Sequence, residues 1–425
     1  MSLLLKGAFV YDNGRFVVRD TVVSGALSVF SASNEVIDGV IDLTGKYIFP
    51  GFADAHVHLR EPGFLYKETV ESGTAAAAAG GFTAVCSMPN LKPSPDCPEN
   101  LGVQLEAIRR SARVRVYPYG TITVGSKGQT LSDMAGMARD AVAFTDDGVG
   151  TTPEIMAQAL KVASRLGKVV ASHCEDVALK VGNHIAASPV AEKYGIRGID
   201  GESEYVQLSR ELEQVAKVGG AYHMCHLSRA KSVELIRQAK RDGLDVTCET
   251  GPHYIALDWN CIDADDGKYK MNPPLASPAD REAVIEGIAD GTIDMIATDH
   301  APHSAEEKGR GLAGSLMGVV GLETAFPVCY RALVEGGVIS LERLVYMMSC
   351  AARERFSLAR AGAELGDFTV FDLDASYRVD PTKFLSMGKS TPFAGAEVKG
   401  ECLMTVLDGR IIYMNERMKE NAKAY

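Results

Sequence analysis

At 425 residues the chain is too long for one small domain and long enough for a large α/β domain with a minor companion. With 46% hydrophobic against 23% charged residues it is globular in composition, and a net charge of -11 without any run of like charges argues against nucleic acid as a partner. No apolar stretch reaches the roughly 18 residues of a membrane span, the start lacks a secretory pattern, and nine irregularly spaced cysteines without a CxxC pair argue against a disulfide frame; a cytoplasmic protein is expected.

The first fifty residues read as short β runs broken by turn signals: LLLKGAFVY, the turn DNG, RFVVRDTVVS and VIDGVIDLTGKYIFP. The same texture returns after residue 366 in DFTVFDL, SYRVD and ECLMTVLDGRIIYM. Residues 1–51 and 366–425 are therefore predicted to form one small composite β domain, a β-sandwich built from both chain termini.

Between them, apolar strand-like runs alternate with helical stretches, the pattern of βα units around a parallel sheet. Eight such runs are YIFPGFADAHVH, FTAVCSMPN, RVYPYGTIT, AVAFTDD, KVVASHCED, AYHMCHLS, DVTCETGPHY and IDMIATDHAPH. Helices are predicted over 68–81, 153–167, 229–243 and 341–356. Eight units fit a (β/α)8 TIM barrel spanning residues 52–365.

His56, His58, Asn90, Asp146, His173, His226, His253 and Asp299 fall at the C-terminal ends of these runs, the face where barrels assemble their chemistry. His56 and His58 stand at i and i+2 of a strand, so both imidazoles leave one face and can reach one metal ion. His173 and His226 also end apolar strands, and imidazole is the commonest metal-binding side chain. Asp146 supplies a carboxylate that could bridge two ions or orient one; Asp147, alternating to the other face, reads as an ordinary loop acid. Asp299 closes the eighth run, where a carboxylate can touch a metal and accept the proton of an activated water. Nitrogen and oxygen donors without a thiolate suggest Zn2+, one ion or two, with other first-row divalent ions as alternatives. Cys174 and Cys225, beside histidines, read as core thiols.

The stretches DAHVHLREPG (54–63) and ATDHAPHSAEEK resemble the two signatures of dihydroorotases, and MPN, FTDDG, SHCE, CHLS and NPPL follow in that family's order and approximate spacing across essentially the whole chain. The HxH element alone is shared with dihydropyrimidinases, hydantoinases and allantoinases of the amidohydrolase superfamily. Those enzymes bridge two metals with a carboxylated lysine. The run Ala141–Gly148 contains no lysine, which points to the aspartate-bridged branch of dihydroorotases with Asp146 as the bridge.

The resemblance implies His56, His58, Asp146, His173, His226 and Asp299 as metal residues, with Asp299 also the catalytic acid and base. It implies Arg60 as the clamp for a substrate carboxylate, with a salt bridge to Glu61 or Glu68 as the alternative, and Asn90, Asn272 and His303 as further substrate contacts. His253 matches a family motif without a firm role; His184 and His223 match nothing and read as structural. Residues 303–315 read as a candidate lid, with Lys308 holding it. The implied activity is the interconversion of N-carbamoyl-L-aspartate and L-dihydroorotate in pyrimidine biosynthesis, by a homodimer able to associate with aspartate carbamoyltransferase. The rivals are another cyclic amidase, or an inactive barrel serving that transferase as a scaffold.

Overall fold

In the computed structural model residues 2–24, 27–29, 39–180, 182 and 184–422 are described. Residues 36–38 of the predicted run VIDGVIDLTGKYIFP lie outside them.

Strands from both ends of the chain join in a single sheet. Ser2–Asp12 pairs antiparallel with Arg15–Ser24 across the DNG turn, and parallel with Gly39–Asp42 and Tyr47–Pro50. Tyr47–Pro50 pairs antiparallel with Phe368–Arg378, which continues into Glu397–Leu407 and Arg410–Met414. All eight strands of this region are linked in that sheet and share a core that includes Leu5, Val10, Ile48, Phe368 and Met404.

The remaining strands close into a parallel barrel. Phe52–Val57, Phe82–Ser87 and Arg115–Pro118 form one arc, and Val169–Ser172, Ala221–Met224, Val246–Thr250 and Met295–Ile296 the other. Three isolated bridges seal the ring. Phe144 pairs with Gly120 on one side and Val170 on the other, and Val57 pairs with His300. The fourth strand is therefore a single bridging residue, and the chain beyond Phe144 is turn, which matters for the aspartates that follow.

The predicted helices run over Val70–Ala79, Pro153–Arg165 and Ala230–Arg241, while 341–356 is interrupted by a π-helical turn at Tyr346–Cys350. The first is anchored at both sides of its start: the Thr69 hydroxyl accepts from the Ser72 backbone, and the Ser72 hydroxyl accepts from the Thr69 backbone.

Where sheet meets barrel, Phe49, Phe52, Phe326 and Phe371 pack ring to ring, with centroids 4.3 Å apart for Phe326 and Phe371 and 5.6 Å for Phe52 and Phe326. Such pairs add about 0.5–1.5 kcal/mol each beyond buried area. Gly51 makes the crossing, and a Cβ there would come within 2.1 Å of the Thr83 hydroxyl. This junction fixes where the strand carrying His56 and His58 emerges.

Candidate active site

Polar side chains at the ends of several barrel strands converge. His56, on Phe52–Val57, is buried, and its Nδ1–H donates to Glu249 Oε1 at 2.9 Å. That bond leaves the Nε2 lone pair facing inward, 3.5 Å from Asp299 Oδ1 and 3.7 Å from Asp147 Oδ1. His58 Nε2 lies 3.1 Å from Asp299 Oδ1 and 3.7 Å from Asp147 Oδ2. His173 Nδ1 faces His226 Nε2 at 2.8 Å and Asp147 Oδ1 at 3.6 Å, while its Nε2 lies 3.1 Å from the Asn272 side-chain amide. Two imidazole nitrogens at 2.8 Å either share one proton or give both lone pairs to a common cation.

The acid inside this cluster is Asp147, and the expectation for Asp146 is corrected. Asp146 Oδ1 accepts from the backbone N–H groups of Ile122 (2.9 Å) and Thr123 (3.0 Å), and its other oxygen accepts from the Thr123 hydroxyl. Strand alternation fails because the chain after Phe144 is no longer a strand: Asp146 is drawn outward to the preceding loop and Asp147 turns in. Their electrostatics differ accordingly. Burial pushes the Asp146 carboxyl up; for Asp147 burial acts in the same sense but is outweighed by His56, His58, His173 and His226, which hold it below the usual carboxylate range.

The donors fit a divalent cation. The ligand atoms of His56, His58 and Asp299 lie within 4.8 Å of one another, as do those of His56, Asp147 and His226. His56 Nε2 and Asp147 Oδ1 are buried without a hydrogen-bond partner. Each such orphan costs about 1–3 kcal/mol, a cost that a bound cation removes. A third grouping, His56, Cys225 and Glu249, is less suited: burial and then Glu249 push the Cys225 thiol up to about 12, and both Glu249 oxygens already serve histidines.

Glu249 and Asp54 were not anticipated from sequence. Glu249 is fully enclosed and accepts from His56 Nδ1 and His223 Nε2, with His223 in turn 2.8 Å from the Thr247 hydroxyl. His223 thus supports the cluster through Glu249. Asp54 accepts from the His56 backbone N–H at 2.9 Å and from that of Thr298 at 3.1 Å, tying the first strand to the eighth; burial pushes its carboxyl up to about 7. The available signal was an acid inside an otherwise apolar strand, since buried acids are rare unless partnered. Carboxylates behind ligating histidines fix ring orientation, and their loss costs about 10–100-fold in metal affinity. Glu249→Gln is accordingly expected to weaken binding of a divalent metal by about that factor with little change in fold, as read by competition with a chromophoric chelator.

Arg60, His226 and Asp299 adopt positive φ, at 59°, 35° and 45°. For residues with a Cβ this costs about 1–3 kcal/mol each, a strain that gathers at functional sites. Arg60 is paired with neither alternative partner. Glu61 holds Arg110 at 2.6 Å, Glu68 holds Ser72, Ser386 and the Met387 N–H, and Arg60 Nε donates to the Pro302 carbonyl at 3.2 Å. Beside the histidines opens a cleft of about 310 Å3 whose walls include Arg60, Phe64, Lys67, Asn90 and Ser126. Asn90 also donates to the Asp147 carbonyl at 2.8 Å.

His303 stands 3.4 Å from Arg60 Nη2. His253 is buried against Tyr254, and burial, opposed by the charge of Asp299, lowers it to about 4. His184 lies 3.2 Å from Lys270 Nζ. The segment 303–315 forms two short helices, Ala305–Lys308 and Gly311–Gly314, and Lys308 buries its ammonium against the carbonyls of Lys270, Leu316 and Gly318 at 2.7–2.9 Å. No helix among the described residues is long and apolar enough to cross a membrane.

A profile described as dihydro-orotase-like matches residues 45–232. A protein of Bacillus cereus (strain AH820) named dihydroorotase is 43% identical over 424 residues, covering 98% of this chain and 99% of its own. One of Bacillus thuringiensis (strain Al Hakam) with the same name aligns with equal identity and coverage. Among solved structures, the L-hydantoinase (dihydropyrimidinase) from Arthrobacter aurescens superposes with a TM-score of 0.84 over 96% of this chain and 95% of its own, at 23% identity. Dihydropyrimidinase from Brevibacillus agri NCHU1002 gives a TM-score of 0.85 over 98% and 96%, at 21% identity. Both superpositions speak to the fold: the chain shares the TIM-barrel architecture of these two structures.

Proposed function

The chain belongs to the dihydroorotase family of cyclic amide hydrolases, and from that premise we propose that its barrel mouth interconverts N-carbamoyl-L-aspartate and L-dihydroorotate in pyrimidine synthesis, with zinc as the metal. The observation that carries this reading is four imidazoles and two carboxylates converging beside Arg60, whose guanidinium makes no ion pair among the described residues.

His56, His58, His173, His226, Asp147 and Asp299 would hold the metal, with Asp147 in the bridging role expected of Asp146. A bound divalent ion supplies Lewis acidity toward the ring carbonyl and lowers the pKa of water to about 7. Arg60 binds the substrate carboxylate, an interaction between charged groups contributing about 1.5–3 kcal/mol per hydrogen bond. Asn90, Asn272 and His303 orient the ring, so that its amide carbon meets the attacking oxygen at near-attack distance. Asp299 takes the proton of the attacking water and delivers it to the ring nitrogen as the carbon–nitrogen bond breaks; cyclisation runs the same transfers in reverse. A homodimer, a cytoplasmic location and association with aspartate carbamoyltransferase belong to the same reading.

Hydrolysis of L-dihydroorotate by zinc-loaded protein, assayed beside dihydrouracil, hydantoin and allantoin with bound metal quantified, tests it. Turnover confined to dihydroorotate is the expected result. Turnover of the neutral rings alone would transfer the site to the hydantoinase class, and metal without any turnover would favour the scaffold.

A further inference from the structure

The cleft beside the histidines holds a second cation that the family signatures did not single out. Lys67 lies on the loop after the first barrel strand and is buried. Its ammonium is 3.2 Å from His303 Nδ1 and 3.1 Å from Glu307 Oε1, so one side chain ties the cleft wall to the segment 303–315 at two points.

An ammonium has only donors, so the His303 nitrogen it meets must accept. His303 then carries its proton on Nε2, and that N–H donates to the Met317 carbonyl at 2.7 Å, on the ring edge that also faces Arg60. We propose that Lys67 is a positioning residue for substrate recognition: together with the Met317 carbonyl it fixes His303 as the Nε2–H tautomer, so that a substrate oxygen beside Arg60 meets an N–H it can share with that carbonyl instead of a lone pair. The claim rests on the dihydroorotase reading above for the identity of that substrate.

Three observations support it. Glu307 balances the Lys67 charge, while the guanidinium of Arg60 donates to the Pro302 carbonyl and makes no ion pair among the described residues. Burial, and then the charges of Arg60 and Lys67, push His303 well below its usual range, so the ring stays neutral and the tautomer is a meaningful property. Without the ammonium only the Met317 carbonyl would favour Nε2–H, while Nδ1 could take the proton and turn it toward Glu307 Oε2, 3.4 Å away. Nε2 would then offer a lone pair to an anion, a repulsive contact where an attractive one is needed.

The test combines nitrogen NMR of imidazole-labelled, zinc-loaded protein with steady-state kinetics on L-dihydroorotate, comparing wild type, Lys67→Met and Lys67→Arg. The His303 signals are identified by their loss in His303→Asn. The wild type is expected to show the Nε2–H tautomer. Lys67→Met is expected to move His303 toward Nδ1–H and to raise KM about tenfold or more, equivalent to about 1.4 kcal/mol, while kcat changes less than about threefold. Lys67→Arg, which keeps a donor, restores both. An unchanged His303 tautomer in Lys67→Met, or a loss of kcat alone, would overturn the proposal. If Lys67→Met does not fold, an Nδ1–H tautomer in the wild type overturns it by itself and the Nε2–H form supports it. Absence of dihydroorotate turnover in the wild type would instead count against the substrate assignment, and the tautomer comparison would still decide the role of Lys67.

Discussion

Replacing Asp147 with asparagine is expected to lower zinc content and to cut turnover by more than the 10–100-fold typical of losing a residue behind the ligands, whereas Asp146→Asn keeps the metal. The contrast follows from where each carboxylate is engaged. Asp147 lies 3.6–3.7 Å from nitrogens of His56, His58 and His173, and its Oδ1 is buried without a hydrogen-bond partner. Asp146 accepts the two backbone N–H groups and the hydroxyl of the loop Ile122–Thr123. An amide there presents an N–H to one of those donors, leaving a buried donor unmet at a cost of about 1–3 kcal/mol. Asp146→Asn should therefore unfold at lower temperature while its metal-to-protein ratio matches the wild type. Metal lost from Asp146→Asn and kept in Asp147→Asn would return the bridging role to Asp146.

That pair shows why the sequence was legible to one depth and opaque below it. The eight βα units stand out because apolar runs and amphipathic helices alternate along the chain, and His56 and His58 keep the two-residue spacing of a real strand. Alternation assigns faces only while the backbone stays extended; with the fourth strand reduced to Phe144, the rule chose the wrong neighbour. Glu249, Asp54 and Lys67 were invisible for another reason. Each acquires its role from partners far away in sequence, such as Glu249 from His56 across 193 residues and Lys67 from His303 across 236. Spacing along the chain cannot reveal such pairings. The segment 303–315 was read as a lid from its length and polarity, and the structure adds how it is anchored, through Lys308, Lys67 and the Asp265 carboxylate that accepts from Leu312 N–H at 2.6 Å.

Asp299→Ala is expected to abolish measurable turnover while the protein still binds metal. The residue sits on a short arch held on both sides: Thr298 N–H donates to Asp54, and the His300 carbonyl accepts from His58 N–H at 2.8 Å. These backbone bonds do not depend on the Asp299 side chain, so its removal should leave the arch and the other five donors in place. Burial opposes its ionisation, but the surrounding imidazoles, His56 first and then the hydrogen bond from His58, outweigh that and hold the carboxyl far below the ordinary range. A folded-state pKa below the unfolded one means that the carboxylate is present, and stabilises the fold, at every pH above the usual carboxylate range, with that contribution lost only as pH falls through the depressed value. Asp299 is thus available as a base throughout the neutral range, and proton transfer by a positioned group contributes about 10^2–10^4-fold. The measurement is kcat on L-dihydroorotate with zinc content determined on the same sample. Loss of turnover with metal retained assigns the proton to Asp299. Loss of both would make it a ligand whose absence empties the site, and activity within tenfold of wild type would remove it from the chemistry.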